Sequence, residues 1–516
     1  MSSVLPTIAT ACARGEALAQ LIGSAPLREA LAYFLAQQRW FGQKGKEMTG
    51  LRTCCAVPLF GADADWLVRI AVELDGETAH YQLVVAARQA AVVADAPATA
   101  LIARVRASDG EMLLLDAVYD ATFRARLGSA LARGDVYAHG GARWHVRHVG
   151  YLRTMSLDVP ARLGRAEQSN SSILYGETAI LKLFRRLEAG ENPDVEIGAF
   201  LTGRTQFRHV PRLLATVVLE TEGDEPMLAG MLQELVPSSG DGWSDVLAKL
   251  RPYIAQEGVP VPFLDEARAL GHITRALHAA LADAQGVANF TAEPVDATMA
   301  QGWVDTIEHE ITTTLSDLRA RVEGGALAAD VTREVDALLV RSARVFERLA
   351  VIRKALADGA GYRIRHHGDF HLGQVLRTLD GTFVVIDFEG EPARPLQVRR
   401  QKHCPLRDVA GMMRSFGYAA AVTQRDATGQ GVSVASASAR ARVWDERVCA
   451  VFVEAYLTPP PSEPQPFLPA SQDATRALLE LFLLEKAFYE LRYEINHRPD
   501  WLWVPLVGIQ ALLEGT

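Results

Sequence analysis

The residues best suited to chemistry lie in His366-His367-Gly368-Asp369-Phe370-His371-Leu372-Gly373-Gln374, followed by Asp387 in Val384-Val385-Ile386-Asp387-Phe388-Glu389-Gly390. An aspartate in a tight glycine-containing loop can orient a hydroxyl as its base, while a side-chain amide at Gln374 and a carboxylate at Asp387 offer hard oxygen ligands to Mg²⁺. Together they are the parts needed to move the γ-phosphate of ATP onto a small-molecule hydroxyl. Gly-Asp alone is ordinary turn chemistry. The spacing carries the argument further: Thr382-Phe383-Val384-Val385-Ile386 reads as a buried strand, and it ends in an acid that an apolar strand does not otherwise choose.

The elements that must position these groups follow in order along the chain. A helical opening at 30–38 leads to strand-like runs at 66–72 and 81–85, with Arg39-Trp40-Phe41-Gly42 between them. A helical region is expected near 100–132. Gln168-Ser169-Asn170-Ser171-Ser172 then opens a hairpin that turns at Gly176-Glu177 and carries Lys182 on its second strand. A helix resumes past Pro193 and carries Glu196. Gln233, Glu234, Leu235 and Val236 form a short strand stopped by Pro237, and Ser238-Ser239-Gly240-Asp241-Gly242 reads as a junction. Helical spacing dominates afterwards, at 264–282, 303–321 and 332–356, whereas 420–437 and 459–469 read as exposed loops. The expected organisation is a cap over 1–95, a sheet-bearing lobe over 96–236 and a helical lobe over 237–516.

At 516 residues the chain is long enough for two or three cooperating domains. A net charge of −9 argues against nucleic acid as a partner. The five cysteines lack zinc-site spacing and are odd in number, which fits reduced thiols in a cytoplasm. With no signal-peptide pattern and no apolar run of about eighteen residues, no membrane association is expected.

The order of serine-rich turn, strand lysine, helix glutamate, hinge, His-Gly-Asp loop and strand-end aspartate resembles the protein-kinase-like superfamily, in its aminoglycoside-phosphotransferase branch. The resemblance implies an α+β, bilobal protein-kinase-like fold with an N-terminal α/β cap and a large helical C-terminal lobe. It implies that Ser169, Asn170, Ser171 and Ser172 cover the nucleotide, Lys182 grips its phosphates, Glu196 fixes Lys182 by an ion pair, and Gln233, Glu234, Leu235 and Val236 form the adenine hinge. Asp369 would be the base, and Gln374 and Asp387 the Mg²⁺ ligands.

A closer resemblance is to the bacterial maltokinases. It rests on Leu181-Lys182-Leu183-Phe184-Arg185-Arg186, Asn192-Pro193-Asp194-Val195-Glu196, the run from Ile386 to Pro392, Arg39-Trp40-Phe41-Gly42, and a C-terminal stretch from Lys486 to Trp501. It implies that His371, Glu389, Lys486, Tyr489, Glu490, Tyr493 and Trp501 touch a sugar acceptor, and that association with a trehalose synthase is a natural partnership. Residues 486, 489, 490 and 493 share a helical face, offering a donor, an acceptor and two aromatic plates. Maltose phosphorylated at its anomeric hydroxyl is the expected acceptor, with an amino sugar such as glucosamine, or acarbose, as alternatives. A silent nucleotide- or sugar-binding module is the reading from another class.

Overall fold

The computed structural model describes residues 5–10, 15–42, 45–61, 65–107, 110–149, 156–164, 170–391, 394–459 and 467–514. The chain forms two compact units, Met1–Gly203 with Pro211–Pro237, and Arg204–Val210 with Ser238–Thr516.

The first unit is built on two seven-stranded sheets. One runs in the order Thr7–Ala9, Leu101–Ala107, Gly110–Asp116, Glu77–Arg88, Asp65–Leu74, Met48–Leu59, with Arg186–Leu187 added against Glu77–Arg88. The other runs Val136–His139, Ala142–His148, Leu213–Thr221, Met227–Glu234, Ala179–Phe184, Asn170–Tyr175, Ala161–Leu163. Strand periodicity divides the core of the first sheet. Leu83 and Val85 pack with Phe34, Trp40 and Phe41 from the region of helix Ala25–Gln37. Val84 and Ala86 face a second cluster with Phe123 and Leu127 of helix Ala121–Arg133, and Tyr175 and Leu181 of the other sheet.

Two expectations are corrected in this unit. Leu101–Ala107 and Gly110–Asp116 are strands, not helix, and the α-helix begins only at Ala121. Their alanines suggest helix, but Leu101-Ile102-Ala103-Arg104-Val105-Arg106 puts its charges two apart, and Gly110 at φ +121° makes the turn. The first sheet therefore continues to Asp116, past the cap limit expected at residue 95, and residues on both sides of that limit share one compact unit.

Arg185 ties the two sheets together. Its guanidinium, wholly buried, donates to Asp116 at 2.5 Å and to Ser171 Oγ at 2.9 Å, and lies 4.9 Å from the Trp40 ring. Gln82 reinforces the seam by donating its side-chain amide to the Phe184 carbonyl at 2.5 Å and its backbone N–H to the Arg185 carbonyl at 2.9 Å.

The second unit is largely helical around a small antiparallel sheet of Ser238–Asp241, Val375–Thr378 and Phe383–Val385. Residues 420–437, expected as loop, lie mostly in the helices Leu406–Gly429 and Val434–Leu457. Their Ala, Gln and Arg are good helix formers, and only the Gly429-Gln430-Gly431 break interrupts them. Of the other expected loop, 460–466 lie outside the described residues. Among the described residues no helix is long and apolar enough to cross a membrane, and Cys54, Cys55, Cys404 and Cys449 are free thiols. Cys12 lies outside the described residues.

Asp116→Ala leaves the Arg185 guanidinium buried without its carboxylate and should cost about 3–5 kcal/mol. Urea unfolding followed by circular dichroism measures this. A loss below about 1 kcal/mol would show that the pair does not hold the sheets together.

Candidate active site

The His-Gly-Asp loop in the second unit is fixed from behind by one buried side chain. Asp408, in the first turn of helix Leu406–Gly429, accepts the backbone N–H of His367 at 2.8 Å and of Gly368 at 2.9 Å, and the His278 ring nitrogen lies at 3.1 Å. Burial pushes its carboxyl up, but the His278 hydrogen bond and nearby charge overcome this and hold it well below the usual carboxylate range. The same helix supplies Ser415 Oγ to the Leu372 N–H at 3.1 Å. It must also carry Gly411, because a Cβ there would stand 2.6 Å from the Phe370 carbonyl oxygen. From the other side the His367 ring lies 2.9 Å from the Ile386 carbonyl, the residue before Asp387.

Asp369 is thereby presented on a rigid turn and remains partly accessible. One carboxylate oxygen lies 3.3 Å from the Lys486 ammonium, and the other 3.9 Å from His371 Nε2. His371 Nδ1 accepts the Gly373 N–H at 3.0 Å, which assigns the ring proton to the nitrogen facing Asp369. Burial lowers the His371 pKa, with Asp369 opposing, so its ring is neutral near pH 7. The backbone carbonyl of Gln374 accepts the Ile386 N–H at 3.0 Å, which brings Gln374 alongside the approach to Asp387. Asp387 adopts φ +70°, a left-handed conformation that aspartate tolerates better than most residues, and remains half-buried.

The helix Gln472–His497 carries the residues expected to meet the acceptor. Lys486 lies 5.0 Å from the Tyr489 ring, so these two share a face. Burial, followed by a hydrogen bond with Glu391, raises the Tyr489 hydroxyl pKa. Tyr493 is 41% exposed and stacks on His497 at 4.6 Å, and the Arg498 guanidinium lies 5.4 Å from the rings of both Tyr493 and Trp501. Glu490 departs from the expected stripe. It is 9% exposed and accepts from Arg414 Nε at 3.0 Å and Nη2 at 2.8 Å, because the one-residue step from Tyr489 turns it about 100° toward the neighbouring helix. Glu389 is half-buried, its carbonyl accepting from Arg399 at 3.1 Å.

In the first unit Lys182 lies on strand Ala179–Phe184, and its ammonium is 3.0 Å from Asp194 Oδ2. Asp194 is fully buried in the first turn of helix Pro193–Arg204, and Glu196 two residues on is 6% exposed. Sequence reasoning missed Asp194 as a lysine partner, although Asn192-Pro193-Asp194 is a helix-start pattern that puts an acid at the first turn. It also missed Asp408, whose signal was an acid in the first turn of a helix that opens after Pro405.

Strand alternation sorts the serine-rich turn. Ser172 is directly opposite Lys182 in the ladder, and Asn170 is on the same face, whereas Ser171 points inward to Arg185. Ser171 therefore serves the core, a correction to its expected nucleotide role, and Ser169 lies outside the described residues. In the segment expected as the hinge, Gln233 is buried, Glu234 pairs with Arg212 at 2.9 and 3.0 Å, and the Leu235 N–H donates to the Thr178 carbonyl at 2.9 Å. Val236 is half-buried.

Comparison with known proteins accounts for both units. Residues 34–120 match the maltokinase N-terminal cap domain, and residues 167–391 the phosphotransferase enzyme family. A glucosamine kinase of Mycolicibacterium smegmatis is 30% identical over 353 residues, covering 68% of this chain and 79% of that protein. One of Streptacidiphilus jiangxiensis is 29% identical over 350 residues, covering 67% and 72%. The structure of a glucosamine kinase in complex with glucosamine, ADP and inorganic phosphate aligns over 93% of this chain and 98% of its own, with a TM-score of 0.61 and 22% sequence identity, which shows the same fold. A capped, mixed α/β kinase-like fold with a helical C-terminal region, bearing both sequence matches, makes this chain a member of the maltokinase-like branch of the aminoglycoside-phosphotransferase family.

Proposed function

We propose that this chain is an ATP- and Mg²⁺-dependent sugar kinase. The observation that carries the reading is Asp369, held on a loop tied down by Asp408, with its carboxylate facing Lys486 on the acceptor helix. In that role Asp369 receives the proton of the sugar hydroxyl as it attacks, and Lys182 offsets phosphate charge. His371, neutral and oriented by the Gly373 N–H, offers a donor beside Asp369 without adding charge. The Gln374 amide and the Asp387 carboxylate are hard oxygen donors, a set that fits Mg²⁺. When bound, the metal would neutralise charge on the transferring phosphoryl group.

Two acceptors suit this reading. Maltose, giving maltose 1-phosphate, is supported by the maltokinase cap match and by the aromatic rings of Tyr489 and Tyr493, one helical turn apart, which suit successive sugar faces. Glucosamine is supported by the names of the two curated relatives. An ADP-release assay over maltose, glucose, glucosamine and acarbose, with ³¹P NMR of the product, decides between them. We expect maltose to be preferred and an anomeric phosphate to form. A preference for glucosamine transfers the reading to the second acceptor, and no sugar-dependent ADP release defeats both.

Asp369→Asn should lower kcat by about 10²–10⁴ while ATP affinity stays within a few-fold, because the amide keeps the shape and loses the base. Asp387→Ala should abolish the enhancement of nucleotide binding by Mg²⁺ in calorimetry. Full turnover in the first variant removes Asp369 from its role, and surviving enhancement in the second removes Asp387 from the metal. Tyr489→Ala should raise KM for the sugar and leave that for ATP unchanged. Glu490→Ala should instead lower the melting temperature, since it strands Arg414.

A further inference from the structure

Beside the catalytic loop, and wholly within the second unit, lies a cavity of about 270 Å³ lined by none of the residues assigned above to the acceptor. Its walls come from helix Ala297–Glu323, the segment 394–407 and helix Gln472–His497, with Gly368 and Gly390 at its edge. Among the described residues lining it are five cations, Arg363, Arg394, Arg399, Lys402 and Arg407, against three carboxylates, Glu310, Glu391 and Glu485. Trp303 stacks on His403 at 4.6 Å and 20° to form an aromatic wall. The volume is near the low end of small-molecule sites, about 300–1,000 Å³, and suits one sugar ring with a substituent.

Most of these cations are held in ion pairs, Arg363 and Lys402 with Glu293, Arg394 with Glu391 and Arg407 with Glu485, and the lining keeps an excess of cations over carboxylates. Burial pushes the His366 ring down to about 3, and Arg407 and Arg365 add to the effect over the opposition of Asp408. Burial also holds His403 well below the usual histidine range, helped by Arg407, His366, Arg394 and Arg363. Both rings are therefore neutral near pH 7, and they crowd a cavity whose remaining cations recognise anions. Guanidinium groups match phosphate oxygens in geometry, and an aromatic face beside them suits the apolar side of a sugar ring.

We propose that this cavity binds a sugar phosphate. The wall couples it to the active site, because Gly368 precedes Asp369, and Glu391 both pairs with Arg394 at 2.7 Å and hydrogen-bonds Tyr489. A phosphate that draws Arg394 away from Glu391 disturbs the Tyr489 face, so occupation lowers turnover. The inference rests on the sugar-kinase reading for its choice of ligand, which has the chemical class of the product.

Calorimetry on the full chain, with glucose 6-phosphate, glucosamine 6-phosphate and inorganic phosphate as probes, tests binding without reference to activity. A sugar phosphate should bind more tightly than inorganic phosphate, and saturating maltose or glucosamine should weaken it only to a limiting affinity, as two coupled sites require, rather than compete it away. Lys402→Gln keeps a hydrogen bond to Glu293 but removes a cation, and should weaken binding about tenfold. Trp303→Leu should weaken the sugar phosphates and leave inorganic phosphate unchanged. No sugar-phosphate binding, affinity unchanged in Lys402→Gln, or full competitive displacement by the acceptor sugar each overturns the proposal. Failure of sugar-dependent ADP release alongside intact sugar-phosphate binding would instead overturn the kinase reading alone.

Discussion

Asp408 is the constraint on which the catalytic half of this protein depends. A carboxylate at 2% exposure is costly unless both oxygens are hydrogen-bonded, and here two backbone N–H groups of the loop and one histidine serve them. The arrangement converts the flexible sequence His-Gly-Asp into a fixed turn, with Gly368 at φ +84°. Gly411 lets the same helix approach the loop backbone closely enough for Ser415 to bind Leu372. Asp369, the proposed base, is thus oriented by a rigid helix rather than by the loop that carries it, which is what positioning chemistry requires.

The first unit solves a different problem, presenting a lysine from a strand. Lys182 would snorkel to solvent on most strands, but the fully buried Asp194 draws its ammonium to 3.0 Å. Gly230 on the adjacent strand lies against the Lys182 backbone, where a Cβ would come within 2.9 Å of its carbonyl oxygen. Three residues along from Lys182, Arg185 binds the cap sheet through Asp116 and Trp40. The strand that carries the lysine is therefore locked into the cap, which gives that domain a positioning role.

Much of this could be read from the residues. The catalytic loop, the strand ending before Asp387, the Gly176 hairpin with Lys182 and the helix after Pro193 are local patterns, and local periodicity reports them. What was not legible depends on distant partners. Nothing near Asp408 indicates that it meets residue 367, and nothing local to Asp194 indicates that its carboxylate meets the ammonium of Lys182. Glu490 was misjudged since a helical face about 100° wide admits neighbours that a packed partner then divides, and Arg414 claims this one. Residues 101–116 and 420–437 were misread for a simpler reason. Neither segment has a clear period, and burial of Ile102 and Val105 in one case and of Ala420 and Thr423 in the other decided the outcome.

If Asp408 organises catalysis through the loop, its replacement must slow turnover far more than it weakens nucleotide binding. Asp408→Asn preserves size but turns an amide donor toward at least one of the two backbone donors at His367 and Gly368, leaving a buried clash worth about 1–3 kcal/mol. Sugar-dependent ADP release by this variant, measured beside its ATP affinity, is the direct test. The account predicts a fall in kcat of about 10² or more with ATP affinity within a few-fold of the parent chain. Turnover within a few-fold of the parent, in a protein that still binds ATP, would contradict it.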